Sequence, residues 1–236
     1  MEKEKSQGRK SQTGSRNYTP RQKEVVDATQ EFVRLRLAEE ASGHDWWHIY
    51  RVRNNAMAIA AAEDVHLYVV ELAALLHDIA DWKFHGGDMT KGPAVARQWL
   101  ESQAVEEEVI AHVCEIIATV SFKGAGVKTP MRTKEGMVVQ DGDRLDAIGA
   151  IGIARTFAYG GHKGRPMHNP ESKPELHKSF GEYKNSNGAT VNHFYEKLLL
   201  LKDRMNTEAA RRIAERRHAY MEQFLQQFYA EWEGLD

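Results

Sequence analysis

Cysteine is nearly absent: Cys114 is the single one in 236 residues, which excludes an intramolecular disulfide framework and any all-cysteine metal site. Net charge is small as well. The 32 Lys and Arg against 34 Asp and Glu leave −2, so there is no basic footprint of the kind that drives bulk-charge nucleic-acid binding. No stretch approaches the ~18–20 consecutive apolar residues that cross a bilayer, and no membrane partner is expected. The opening residues MEKEKSQGRKSQTGSR lack the apolar core of a secretory signal, so the expected compartment is cytoplasmic. Sustained alternation of period two is missing throughout, which argues against strands. Proline is scarce, six in all, and three of them (Pro166, Pro170, Pro174) fall in one segment, which marks that segment as irregular.

What is present is helical periodicity. Residues 1–18 are polar and are expected to form a disordered tail. Thr19-Pro20 reads as an N-cap with proline in the first turn, followed by a stripe of Val25, Val26, Ala28, Phe32, Val33, Leu35 and Leu37 to about Glu40. A second helix is expected from about Asp45 to Glu63. A third, from about His66 to Ile79, is apolar nearly all round and belongs in the centre of the fold. Further helices are expected at about 93–103 and 105–120, then one from about Thr133 to Tyr159. In that last helix Ala147, Gly149, Ala150, Gly152 and Ala154 suggest close packing on a neighbour. Residues 160–189, rich in Gly, Pro, Asn and Ser, read as a long loop and a candidate cover for an active site. Thr190 to Trp232 reads as a long amphipathic helix or a pair. The expected fold is all-α, one helical domain over 19–236.

The most informative chemistry is His77-Asp78, at the C-terminal end of the most apolar helix. Histidine and aspartate suit first-row divalent metals, and adjacent ones can converge on an ion beyond the helix end. His48 shares a helical face with Val52, Asn55 and Ile59 and is expected to point inward. Asp143 belongs to an acidic run, Asp141-Gly142-Asp143-Arg144-Leu145-Asp146, in an otherwise apolar helix, where burial is costly unless compensated. Each has a plainer explanation. A buried histidine is usually hydrogen-bonded core, and Asp143 could serve only to pair Arg144.

The order His48 … His77-Asp78 … Asp143 resembles the H…HD…D pattern of the HD superfamily of metal-dependent phosphohydrolases. The local contexts His48-Ile49-Tyr50-Arg51-Val52, Leu72-Ala73-Ala74-Leu75-Leu76-His77-Asp78-Ile79 and Asp143-Arg144-Leu145-Asp146 agree with it. Within that superfamily the chain is similar to the small bacterial stand-alone HD hydrolases of the YedJ-like kind, over about Thr19 to Gly234. The resemblance implies an HD-type helical bundle and one divalent ion (Mn, Mg, Co, Ni, Fe or Zn) on His48, His77, Asp78 and Asp143, with Asp141 as the rival for the last position. It implies hydrolysis of a phosphate ester or anhydride in a small molecule, a nucleotide among the candidates.

Beside the ligands, Asp81 is a candidate to take a proton, and Arg51 to hold a phosphoryl oxygen or pair with an acid. Lys163 and Arg165, cations beside glycines, are candidates for phosphate contact, with Lys83 and His85 as helpers. Trp46, Trp47 and Trp82 could stack on a base or cap the core. His112 lacks the second extra histidine of a dinuclear site. Two other classes remain: a ligand-binding or regulatory module without turnover, and a di-iron oxygenase on the same fold.

Overall fold

A computed structural model of the chain describes residues 18–38, 45–80, 88–122, 125–176 and 188–235. All their regular structure is helical. In order these are α1 (Pro20–Arg36), α2 (Trp46–Ala60), α3 (Leu67–Leu76), α4 (Lys91–Ser102), α5 (Glu107–Thr119), α6 (Lys134–Asp146), α7 (Gly149–His162), the short α8 (Asn192–Glu196), two 3-10 turns (Leu198–Leu200 and Lys202–Arg204) and α9 (Glu208–Glu233).

Local chemistry sets the helix starts. Thr19 caps α1 in a reciprocal box with Gln22, and Pro20 follows. Asp45 caps α2 by accepting from the His48 amide at 2.9 Å, which places His48 in the helix's first turn. Thr133 caps α6 and Thr207 caps α9 in the same way.

α3 is the central element. Tyr68 to Leu76 is buried without interruption, and α1, α2, α5 and α6 surround it. A helix that dry tolerates Glu71 only because the residue is paired: Arg53 Nε donates to it at 2.8 Å and the Tyr18 hydroxyl donates as well. Tyr18 is therefore part of the domain. Residues 1–17 of the expected tail lie outside the described residues.

α2 and α6 approach closely because Gly142 has no side chain. A Cβ there would lie 3.0 Å from Ala56 N and 3.1 Å from Val52 O. This contact carries His48 toward Asp143.

The expected single helix from Thr133 to Tyr159 is broken. Ile148 is extended and Gly149 has φ +77°, a left-handed conformation natural to glycine. Of the small residues expected to pack on a neighbour, Gly149 lies against Arg217 of α9, while Ala150 and Ala154 are exposed. Gly152 turns back on the Ala147 carbonyl, which a Cβ would approach to 2.3 Å, and Ile151 is 45% exposed. The break redirects α7 so that Arg155 returns to Asp146.

The loop expected from residue 160 begins at Lys163, since residues 160–162 close α7. Its described part is tied down. Thr190 N donates to Pro166 O and Val191 N to Met167 O, both at 2.9 Å, and the His168 ring packs edge-on among Phe228, Tyr229 and Trp232 of α9. Residues 177–187 lie outside the described residues. The expected terminal segment resolves into α8, the 3-10 turns and the 26-residue α9. No helix among the described residues is long and apolar enough to cross a membrane.

Candidate metal centre

Three elements converge where α3 ends. His77 is the C-cap of α3, Asp78 follows it, His48 comes from the first turn of α2 and Asp143 from the last turn of α6. His48 Nε2 lies 3.3 Å from His77 Nε2, 3.3 Å from Asp78 Oδ2 and 3.6 Å from Asp143 Oδ1. His77 Nε2 lies 3.6 Å from the same Asp78 oxygen and 3.9 Å from the same Asp143 oxygen. Both imidazoles are 1% exposed, while the side chains of Asp78 and Asp143 are 12% and 29% exposed. The cluster thus has a dry floor and a carboxylate rim.

The outer nitrogens decide the tautomers. His48 Nδ1 sits 2.8 Å from Asp146 Oδ2 and His77 Nδ1 sits 2.9 Å from the Ala74 carbonyl. An ionised carboxylate and a carbonyl can only accept, so each ring carries a proton on Nδ1, and in its neutral form each turns an Nε2 lone pair inward. In the neutral form two lone pairs face each other at 3.3 Å beside two carboxylate oxygens, an arrangement relieved either by a proton on His48 Nε2 directed at Asp78, as the raised His48 pKa of the metal-free site implies, or by a metal ion among the four groups. Donor atoms held ~2.1 Å from one ion stand roughly 3.0–3.4 Å apart. His48 meets that spacing with His77 and with Asp78, the His77–Asp78 pair and Asp143 being slightly wider. The residues present fit a divalent ion with mixed N and O ligands.

Behind His48 lies a layer that the sequence reading did not assign. Asp146 is 2% exposed and accepts from His48, from Arg51 Nε at 2.6 Å and Nη2 at 3.1 Å, and from Arg155 Nη1 at 2.7 Å. Burial pushes its carboxyl up, but the hydrogen bonds from His48 and Arg51 outweigh that and hold it well below the usual carboxylate range. For His48, burial lowers the pKa while the Asp146 and Asp78 hydrogen bonds raise it further, for a net rise in the metal-free site. Asp146 lies three residues beyond Asp143, one helical turn along the same face. That spacing was visible in the sequence.

Asp141, the rival ligand, faces elsewhere. It is fully buried and accepts from Asn206 N at 2.8 Å, Thr207 N at 2.8 Å and Thr207 Oγ1 at 2.9 Å. It anchors the start of α9, and burial raises its pKa despite these donors.

Of the other candidates, Arg51 stands beside the cluster, bound to Asp146. Lys163 and Arg165 lie over the Tyr159 ring at 5.6 and 5.9 Å from its centroid, with Lys163 ~12 Å of helix beyond Arg155. Asp81, Trp82, Lys83 and His85 lie outside the described residues. Trp46 and Trp47 both pack against Tyr50, Trp47 being 60% exposed. His112 is remote, with Thr133 Oγ1 at 2.9 Å and Glu135 at 3.8 Å.

The HD domain family model matches residues 46–148, a span that opens with α2, closes at the break before α7 and contains His48, His77, Asp78, Asp143 and Asp146. YpgQ of Bacillus subtilis (strain 168), an uncharacterized protein, is 39% identical over 218 residues, covering 91% of this chain and 98% of its own. An HD-superfamily hydrolase from Bacillus thuringiensis superimposes with a TM-score of 0.71 at 46% identity, covering 90% of this chain and 98% of its own. The crystal structure of B. subtilis YpgQ in complex with ADP gives a TM-score of 0.68 at 33% identity, over 89% of this chain and all of its own.

Proposed function

The chain belongs to the HD superfamily of metal-dependent phosphohydrolases, and from that premise we propose that it hydrolyses a phosphate ester or anhydride of a small molecule, a nucleotide foremost. The site holds one divalent ion on His48, His77, Asp78 and Asp143. The observation that carries this is the convergence of two Nε2 lone pairs at 3.3 Å, each fixed by an acceptor at the opposite nitrogen and flanked by two carboxylates. When bound, such an ion polarises a phosphoryl oxygen and lowers the pKa of a coordinated water toward ~7.

The protein's own residues do the rest. Asp78 and Asp143 supply the negative charge that attracts a dication, and Asp146 keeps the His48 ring in its ligating tautomer. Arg51 uses Nε and Nη2 on Asp146 and keeps Nη1 for a phosphoryl oxygen. Lys163 and Arg165 contact the phosphate from the segment after α7, and Asp81, three residues past Asp78, takes a proton; both assignments rest on residue type and place in the chain. The nucleotide preference is supported by ADP in the YpgQ structure and by the exposed ring of Trp47, the residue that precedes His48 in α2.

The test is a panel of nucleotides and phosphate monoesters with Mn, Mg, Co and Ni. Phosphate or pyrophosphate release by the parent is expected, with loss of both metal content and rate in His77→Ala and Asp78→Ala. Full metal content in either variant overturns the ligand assignment. Oxygen consumption, or binding without release, overturns the hydrolase reading.

A further inference from the structure

α6 has a second polar surface that the metal centre does not use. Arg144 follows Asp143 and leaves the helix roughly 100° round from it. It is 7% exposed, and its guanidinium donates to the Arg204 carbonyl and, at 3.0 Å, to Thr129 Oγ1. Both acceptors are neutral. Among the described residues no carboxylate pairs with it, and Asp141 and Asp143 act on it only across a distance. Arg204 lies beside it, its own guanidinium donating to the Ala125 carbonyl. The two guanidiniums, with Lys128, Asn206 and the chain from Ala125 to Pro130, line a cleft of about 430 Å³ that has no acidic residue in its lining.

We propose that this cleft binds the phosphate group or phosphate chain of a small molecule, at a site separate from the metal centre. A guanidinium taken out of water without a counter-charge costs free energy that an incoming anion offsets. Three cations and no acid favour a multiply charged anion over a monocarboxylate. Guanidinium forks match phosphate oxygens in pairs, and the volume is in the range of small-ligand sites, about 300–1,000 Å³. The hydrogen bonds of Arg144 to Thr129 and Arg204 brace the cleft walls, so an anion there would meet prearranged donors.

The experiment is calorimetric titration of inorganic pyrophosphate into full-length His77→Ala protein in the presence of a chelator, which removes the metal centre from the measurement. Saturable binding at one site per chain is expected, weakened at least tenfold by Lys128→Glu and by Arg204→Gln. Lys128 is exposed, so its variant decides the matter even if Arg204→Gln fails to fold. No saturable binding, or binding left within twofold by Lys128→Glu, overturns the proposal. Neither result depends on hydrolysis at the metal centre. In the His77-intact protein, a raised KM in Lys128→Glu assigns the cleft to the substrate's own phosphate chain. An unchanged KM with pyrophosphate binding lost assigns it to a separate phosphorylated ligand.

Discussion

Replacing Asp146 with asparagine preserves the side chain's shape and removes its charge. In the parent every contact to this carboxylate comes from an N–H group: His48 at 2.8 Å, Arg51 at 2.6 and 3.1 Å, Arg155 at 2.7 Å. The new amide nitrogen must therefore confront a donor. If it takes the Oδ2 position, Arg155 and Arg51 Nη2 lose their acceptor there, and the His48 ring relieves its own conflict by moving its proton from Nδ1 to Nε2, the atom that faces the metal set. If it takes the Oδ1 position, Arg51 Nε loses its acceptor while Nη2 keeps Oδ2. The two arginine side chains are 29% and 24% exposed and recover hydration, so their share is discounted. His48, at 1%, cannot recover it. A hydrogen bond to a charged partner is worth about 1.5–3 kcal/mol, and that loss is expected in urea unfolding of metal-free protein. Disturbing the group that orients a ligating imidazole weakens metal binding ~10–100-fold, or about 1.4–2.8 kcal/mol, measurable by chelator competition with Mn or Co. A variant that bound metal within twofold of the parent and unfolded at the same urea concentration would refute the orienting role.

Asp143→Ala should remove tight metal binding and turnover. Asp141→Asn should keep metal content yet cost about 2–4 kcal/mol, because its amide meets the Asn206 and Thr207 donors; metal analysis beside urea unfolding checks both, and the reverse pattern moves the ligand to Asp141. Gly142→Ala places a methyl 3.0–3.1 Å from Ala56 and Val52. It should cost about 1–3 kcal/mol and weaken metal binding by parting His48 from Asp143; an unchanged melting temperature would show that the α2–α6 contact adapts. Replacing both Lys163 and Arg165 with alanine should slow turnover roughly ten- to hundredfold and change stability by no more than about 0.5 kcal/mol. Parent-like kinetics would remove both residues from the site.

The all-α class follows from the sequence alone, because periods of 3.6 and 2 are local properties of the chain and no segment sustains the second. The α1 cap and the buried character of α3 are likewise written in Thr19-Pro20 and in the unbroken apolar run from Leu67 to Leu76, apart from Glu71. Residue type and order also single out His48, His77, Asp78 and Asp143, since few side chains suit a divalent ion and these lie on inward faces or helix ends. Everything that depends on two distant segments meeting had to await the tertiary structure. Asp141 and Asp143 are equivalent acids in the sequence, and they part company because Asn206 and Thr207 meet one of them at the head of α9. Asp146 becomes the support of His48 only when Arg51 and Arg155 arrive from two other helices, and Arg155 arrives because Gly149 breaks what reads as one helix. That break depends on packing against Arg217 and on the turn past Ala147, neither of which a propensity can encode. The cationic cleft has the same origin: Arg144 and Arg204 are sixty residues apart, and only docking of the 3-10 turns beside α6 sets their charges on one wall.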